Sequence, residues 1–392
     1  MLIINAKIYT MSEKGIIEKG YVRTENGKIA EVGAMSELKT TDPNTFDAEG
    51  KNLYPGFIDC HSHVGMFNDS LGFEGSDGNE ISDPSTPQLR AIDSANPTDR
   101  CFFEGAAAGV TTVLTGVGSA NPIGGEFIAM KTYGSPRIDK RIVKSPAAMK
   151  FAFGENPKRC YNDREEAPTT RMATAGVIRE QLYKANRYIA DCDKYESTKG
   201  TDNESSKPDY DAKCEALVPL LKKDLKAHIH CHRADDIFTA VRIANEFDLG
   251  YVLVHCTEGG LVADELKEAG CTKAVVGPVI SDRSKPELSR QSIENAARLH
   301  KAGIEIAICT DHPVIPIQYL PLSAGVCIKG GLDKEEALKA ITINPAKIAE
   351  IDNRVGSIEV GKDADLSVMD GEFYDVLTKP VLVLVDGEEV VK

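Results

Sequence analysis

The sequence predicts an α/β protein: a (β/α)8 barrel with a small β-sandwich domain formed from the N- and C-terminal segments. Three observations carry this. Short apolar runs alternate with helical patterns through the middle of the 392-residue chain, the mark of a parallel sheet with helical crossovers. Both ends instead read as short strands and tight turns. In the middle, polar and proton-active residues gather at the C-terminal ends of apolar runs, the face on which barrels build their sites. The expected division is residues 1–52 plus 356–392 for the composite β domain and 53–355 for the barrel, an architecture that needs roughly 250 residues.

At the N-terminal end, Tyr21 to Ile29 holds an Asn26-Gly27 pair, the signal of a two-residue hairpin. At the other end Val381–Val385 leads to Asp386-Gly387 and then Val390-Val391, a second hairpin. Neither end alone has strands enough for a stable core, so the two are expected to join.

The barrel strands are expected, in order, at Pro55–Cys60, Val110–Thr115, Gly125–Met130, Ala148–Phe153, Ala227–Cys231, Gly250–Val254, Ala274–Gly277 and Glu305–Cys309. Helix patterns cover Asp235–Glu246, Gly260–Glu268, Leu288–His300 and Asp333–Ile341, with Gly270 and Gly303 placed as C-terminal caps. Two polar excursions interrupt the alternation. Met66–Arg100 follows the first barrel strand and reads as a lid. Asn156–Lys223 follows the fourth. It contains one helical stretch, Thr174–Tyr188, and a very polar patch, Lys194–Asp211, expected as a mobile surface loop.

Composition excludes several classes. Apolar residues make up 42% of the chain, enough for a sizeable core. Lys plus Arg is 46 against 60 Asp plus Glu, a net charge of −14 that argues against nucleic acid or anionic lipid as the main partner. There is no apolar run of about 18 residues, so no membrane span is expected. The segment MLIINAKIYT lacks the basic flank and cleavage site of a secretory signal, and a cytoplasmic location is expected. The ten cysteines form no C-x-x-C pair and read as free thiols. Gly116-Val117-Gly118-Ser119-Ala120-Asn121 resembles half a dinucleotide fingerprint, but Asn121 replaces the third glycine, so no nicotinamide or flavin site is expected.

The histidines carry the chemistry. Asp59-Cys60-His61-Ser62-His63 sets two imidazoles on one face of a strand end, able to share a divalent metal. His228-Ile229-His230-Cys231-His232 sets three on a later strand, Val254-His255 ends the next, and Thr310-Asp311-His312 ends the last. Burying such groups is costly unless they are paired or ligated, so a metal site is expected. His232 reads as a substrate contact or an orienting group, and His312 as a further substrate contact. His228 reads as a deeper core residue and His300 as a surface one. Arg233 either clamps a substrate carboxylate or pairs with Asp235 or Asp236. Cys60, Cys231 and Cys256 alternate away from the histidines and read as packing thiols.

The motifs PGFIDCHSH (Pro55–His63), GVTTV (Gly109–Val113), HIHCHRADD (His228–Asp236), VHCTEG (Val254–Gly259), CTDHP (Cys309–Pro313), TINPAKI and GSIEVGKDADL (Gly356–Leu366) occur in this order. In them the chain resembles the metal-dependent amidohydrolase superfamily, TIM-barrel enzymes, near the group of imidazolonepropionase-related amidohydrolases. The resemblance covers almost the whole chain. It implies metal ligation by His61, His63, His230, His255 and Asp311, with Asp311 also the catalytic base. Members with two metals also use a bridging carboxylated Lys or Glu. The chain offers Lys150 and Glu155, and Glu155, just past the expected strand end, is preferred.

The reading is therefore a hydrolase of a carbon–nitrogen bond, other than an ordinary peptide bond, in a small cyclic amide or amidine or an N-acyl compound. One or two divalent transition ions, zinc first, are the expected cofactors. The expected partners are a small-molecule substrate and further copies of the chain. The alternatives are an Xaa-Pro or Xaa-Arg dipeptidase, a heterocyclic amine deaminase and a non-catalytic scaffold. Asp235 and Asp236 match the acid of the deaminases poorly. The presence of all five ligand positions disfavours the scaffold.

Overall fold

The computed structural model describes residues 1–69 and 71–391. The chain opens with β1 (Leu2–Tyr9), β2 (Ile16–Glu25), β3 (Lys28–Ala34), β4 (Thr45–Asp47) and β5 (Asn52–Pro55). The middle supplies β6 (Phe57–Ser62), β7 (Val110–Thr115), β8 (Ile123–Lys131), β9 (Ile142–Ala152), β10 (Ala227–Cys231), β11 (Tyr251–His255), β12 (Lys273–Val276) and β13 (Glu305–Ile308). The chain closes with β14 (Leu366–Met369), β15 (Pro380–Val385) and β16 (Glu388–Val391).

The strands from the two ends form one sheet in the order β16-β15-β14-β5-β1-β2-β3, with β4 added to β1. Ile3, Ile8, Val22, Leu53, Leu366 and Leu384 share an apolar core, with irregular register in β1 between Ile3 and Ile8 bringing both to that face. Both expected hairpins are present. Asn26-Gly27 (φ 50° and 75°) and Asp386-Gly387 (φ 48° and 78°) take the doubly positive backbone of the tight turn that suits twisted strands. The sheet curls until both turns abut one residue: Ala364 N donates to Gly27 O at 2.9 Å, and Gly387 N to Ala364 O at 3.0 Å.

The second sheet runs β6 to β13 in chain order. Its ladders are parallel except around β8, which runs antiparallel to both β7 and β9. Antiparallel neighbours need only a hairpin, whereas parallel ones need a crossover. Accordingly the chain between β7 and β9 carries no α-helix among the described residues, only a short turn of 3-10 helix at Ile138–Lys140. The barrel closes just beyond β13, where Asp311 N donates to His61 O and His63 N to His312 O, at 3.3 and 2.9 Å. Pro55, expected in the first barrel strand, belongs to the terminal sheet, and the barrel strand starts at Phe57.

The helices are α1 (Arg100–Ala107), α2 (Glu155–Asn162), α3 (Arg171–Thr198), α4 (Ala212–Leu221), α5 (Ala234–Glu246), α6 (Ala263–Glu268), α7 (Asn295–Lys301), α8 (Leu320–Lys329), α9 (Lys334–Lys339) and α10 (Ile343–Ala349). Gly270 and Gly303 end α6 and α7 at φ 95° and 79°, as their placement required. The second excursion is mostly helical. Thr170 Oγ1 caps α3, Asp211 caps α4, and Ile178, Leu182, Leu217 and Leu220 bury the facing stripe. The first excursion is a strap along β8. Thr86 N donates to Ile123 O, Glu126 N to Leu89 O and Gly118 N to Gly78 O.

Lys131, at the end of β8 and 2% exposed in its side chain, joins barrel to terminal sheet. Its Nζ meets Asp363, Asp365 and Asp386 at 2.9, 2.7 and 3.0 Å. Among the described residues no helix is long and apolar enough to cross a membrane.

Candidate metal centre

The parallel strands deliver their C-terminal ends to one place. On β6, alternation points Asp59 and His61 inward and His63 follows at the strand's end. The His61 and His63 rings are 5.4 Å apart. From beyond β13, Asp311 Oδ1 comes within 3.7 Å of His61 Nε2 and 3.3 Å of His63 Nε2. From β11, His255 lies 5.3 Å ring to ring from His61. From β10, the His230 ring is 4.5 Å from that of His255. Two sets of donor atoms, His61/His255/Asp311 and His230/His232/His255, each fall within 4.8 Å of one another. His255 and Asp311 sit at φ 70° and 55°, strained values for side-chain-bearing residues that turn the strand ends at the site.

The donor chemistry fits a divalent transition ion. His63 Nδ1 lies 2.8 Å from Gly116 O and His255 Nδ1 lies 2.7 Å from Gly277 O. A carbonyl can only accept, so each Nδ1 carries the proton and each Nε2 presents a lone pair toward the cluster. Burial holds the His61, His230 and His232 rings well below the usual histidine range and brings His255 down to about 4, so these rings are neutral bases at neutral pH. Burial alone would raise Asp311. His255, His63 and Lys150 outweigh it and hold the carboxylate well below its ordinary range. Neutral imidazoles with one carboxylate are the set that zinc and its neighbours take.

The expectation for the bridging acid is corrected. Glu155 is the first residue of α2. Its backbone N is tied to Glu287 Oε2 at 2.9 Å and its side chain lines a cavity beside the cluster. It belongs to neither donor set. Lys150 instead points into the cluster: its Nζ lies 3.1 Å from His61 Nε2, in full burial. The reason is side-chain reach. β9 ends at Ala152, one residue before the expected end, so Lys150 is third from its C-terminal end, beside His228 of β10, and its long stem carries Nζ into the cluster. Burial brings its ammonium down to about 8, against the pull of Asp311.

The remaining expected residues separate. His232 stacks on His255, with ring centroids 4.7 Å apart, and its Nδ1 lies 2.7 Å from Thr257 Oγ1. His228 is deeper, fully buried, with neither ring nitrogen bonded. His312 stands outside both donor sets. Its Nδ1 accepts Ile317 N at 3.3 Å, and its backbone carbonyl takes His63 N. Arg233 forms a bidentate pair with Asp235 at 2.9 and 2.8 Å and borders the same cavity as Glu155. Cys60, Cys231 and Cys256 are buried free thiols. Two residues went unread. Asp59, in step with His61, accepts His61 N and Thr310 N at 3.1 and 3.0 Å, and burial pushes it up to about 7. Its two-residue spacing from His61 was the available signal. Glu287 sits in a short turn after β12, and the sequence around it carries no signal.

A barrel with imidazoles, one carboxylate and one buried lysine gathered at its strand ends defines a class, the barrel amidohydrolases. The chain belongs to the amidohydrolase family, whose profile matches residues 52–391. It is 30% identical over 390 residues to Amidohydrolase tasK of Hapsidospora irregularis, covering 95% of this chain. It spans only 39% of the length of that relative. It is 25% identical over 399 residues to the imidazolonepropionase of Maricaulis maris (strain MCS10), covering 95% of this chain and 93% of that one. Among solved structures, an amidohydrolase from Thermotoga maritima MSB8 superposes with a TM-score of 0.92 at 41% identity, covering 100% of this chain and 99% of that one.

Proposed function

We propose that this chain is a metal-dependent amidohydrolase cleaving a carbon–nitrogen bond other than an ordinary peptide bond, in a small cyclic amide or amidine or an N-acyl compound. The observation that carries the reading is the convergence of His61, His63, Asp311 and Lys150 Nζ on one buried point. His61, His63, His230, His255 and Asp311 would hold the metal, Lys150 would add a carboxylate ligand once its Nζ is carboxylated, and zinc is the ion that this donor set favours. A divalent ion there supplies Lewis acidity, to the attacking water and to the carbon under attack. Asp311 does the proton work. It takes a proton from water as the oxygen–carbon bond forms, and returns it to nitrogen as the carbon–nitrogen bond breaks. The Gly116 and Gly277 carbonyls hold His63 and His255 in one tautomer throughout. The barrel, from Phe57 onward, would carry this chemistry, and the strands of the two ends, β5 included, would form the supporting β domain.

Metal analysis after chelator-free purification tests the centre: content under about half an equivalent counts against it. Asp311→Asn is expected to lower turnover by about 10²–10⁴-fold while leaving metal largely bound. An Asp311→Asn protein of near wild-type rate overturns the base assignment. The assay panel is cyclic imides, hydantoin-type rings, N-acyl amino acids and Xaa-Pro or Xaa-Arg dipeptides.

A further inference from the structure

Beside the histidine cluster lies a cavity of about 510 Å³ bordered by Glu155, Lys158, Arg159, Arg171, Arg233 and Glu287. Glu287 is 1% exposed. Its Oε2 accepts the backbone N of Glu155 at 2.9 Å, but its Oε1, equally buried, has no hydrogen-bond partner among the described residues. His232 Nε2 stands 3.6 Å from Oε1, too far for a hydrogen bond. A buried carboxylate oxygen left without a donor costs free energy, so it marks a place where a donor is supplied from elsewhere. The cations along the wall divide in two. Arg171 is committed to Asp236 and Arg233 to Asp235. Lys158 and Arg159 make no ion pair and no side-chain hydrogen bond among the described residues, so their charge is open to a ligand.

We propose that Glu287 is a specificity residue: its Oε1 accepts a hydrogen bond from an N–H of the substrate, while Lys158 and Arg159 hold a carboxylate of the same molecule. The substrate class is then a small amide bearing both a free carboxylate and an N–H donor. This rests on the hydrolase reading and narrows it.

The test is calorimetric titration of the metal-loaded protein with hydantoin-5-acetate and N-acetyl-L-alanine, beside their N-methylated and neutral-amide counterparts. At least one acid is expected to bind, with each counterpart weaker by about tenfold or more. Glu287→Gln keeps an acceptor for Glu155 N and turns the other position into a donor. It is expected to abolish discrimination against the N-methylated form while discrimination against the neutral amide persists. Lys158→Ala combined with Arg159→Ala is expected to do the reverse. Binding of neither acid, equal binding of the N-methylated forms, or unchanged discrimination in Glu287→Gln overturns the proposal. A protein that shows these preferences but hydrolyses nothing refutes the hydrolase reading alone. A protein that hydrolyses the neutral amides equally well refutes this inference alone.

Discussion

Lys150 and Glu155 are five positions apart, and only Lys150 reaches the histidine cluster. A strand-end argument favours Glu155, because catalytic groups stand at C-terminal strand ends. Side-chain reach decides otherwise: the lysine stem carries Nζ from the third-last position of β9 to 3.1 Å from His61 Nε2. Glu155 is turned away by the start of α2, with its backbone tied to Glu287. Lys150→Met is therefore expected to lower bound metal by at least about half and reduce turnover by about 10²-fold, whereas Glu155→Gln leaves metal content unchanged. Elemental analysis of the two purified variants checks both. Metal loss in Glu155→Gln with none in Lys150→Met would reverse the assignment.

Elements differed in how far the sequence exposed them. β7 and β10 match their expected bounds to the residue, because an apolar run between polar boundaries has nowhere else to start or stop. The histidine clusters stood out for the same reason, as polar groups at the ends of buried runs. The start of β9 was hidden because Lys144-Ser145-Pro146 breaks the apolar pattern within the strand. The direction of β8 was hidden as well, since side-chain alternation is identical in either direction. Helix α2 was masked by polar composition, and α4 by Pro219 within its apolar run, a residue that reads as a helix break. The strap along β8 could not be read at all. It depends on backbone bonds between distant segments, and it passes so close that a Cβ on Gly125 would stand 2.5 Å from Leu89 O. Gly125 also has φ 138°, a backbone open to glycine. Gly125→Ala is expected to cost about 2 kcal/mol or more. Denaturant unfolding checks this, and a midpoint equal to that of the wild type would mean the strap yields freely.

At the scale of the molecule, the union of barrel and terminal sheet depends on buried charge. Asp363 touches Lys131, and Arg354 Nη2 at 2.8 Å, with Lys28 completing its ring of cations. Burial would raise its pKa, but these cations hold it below the ordinary 3.8. A lowered acid stabilises the fold above its unfolded pKa, and that stabilisation is lost as pH falls through the folded value. Asp363→Asn is thus expected to be less stable than wild type by about 3 kcal/mol at neutral pH, because it strands buried cations. The gap should begin to close only below pH 3.8. Urea midpoints across acid pH measure it, and a gap that stays constant to the acid limit would show that the charge of Asp363 is idle.

The position of β5 sets an order of events during synthesis. It hydrogen-bonds to β1 on one side and to β14, made more than three hundred residues later, on the other. While the ribosome is still making the barrel, β5 presents a bare edge that only the final stretch of chain can cover, and such edges invite pairing with other chains. Nascent chains released before Leu366 should therefore aggregate even where the barrel strands are complete, leaving the chaperones of the cell to shield one strand edge until the last hairpin arrives.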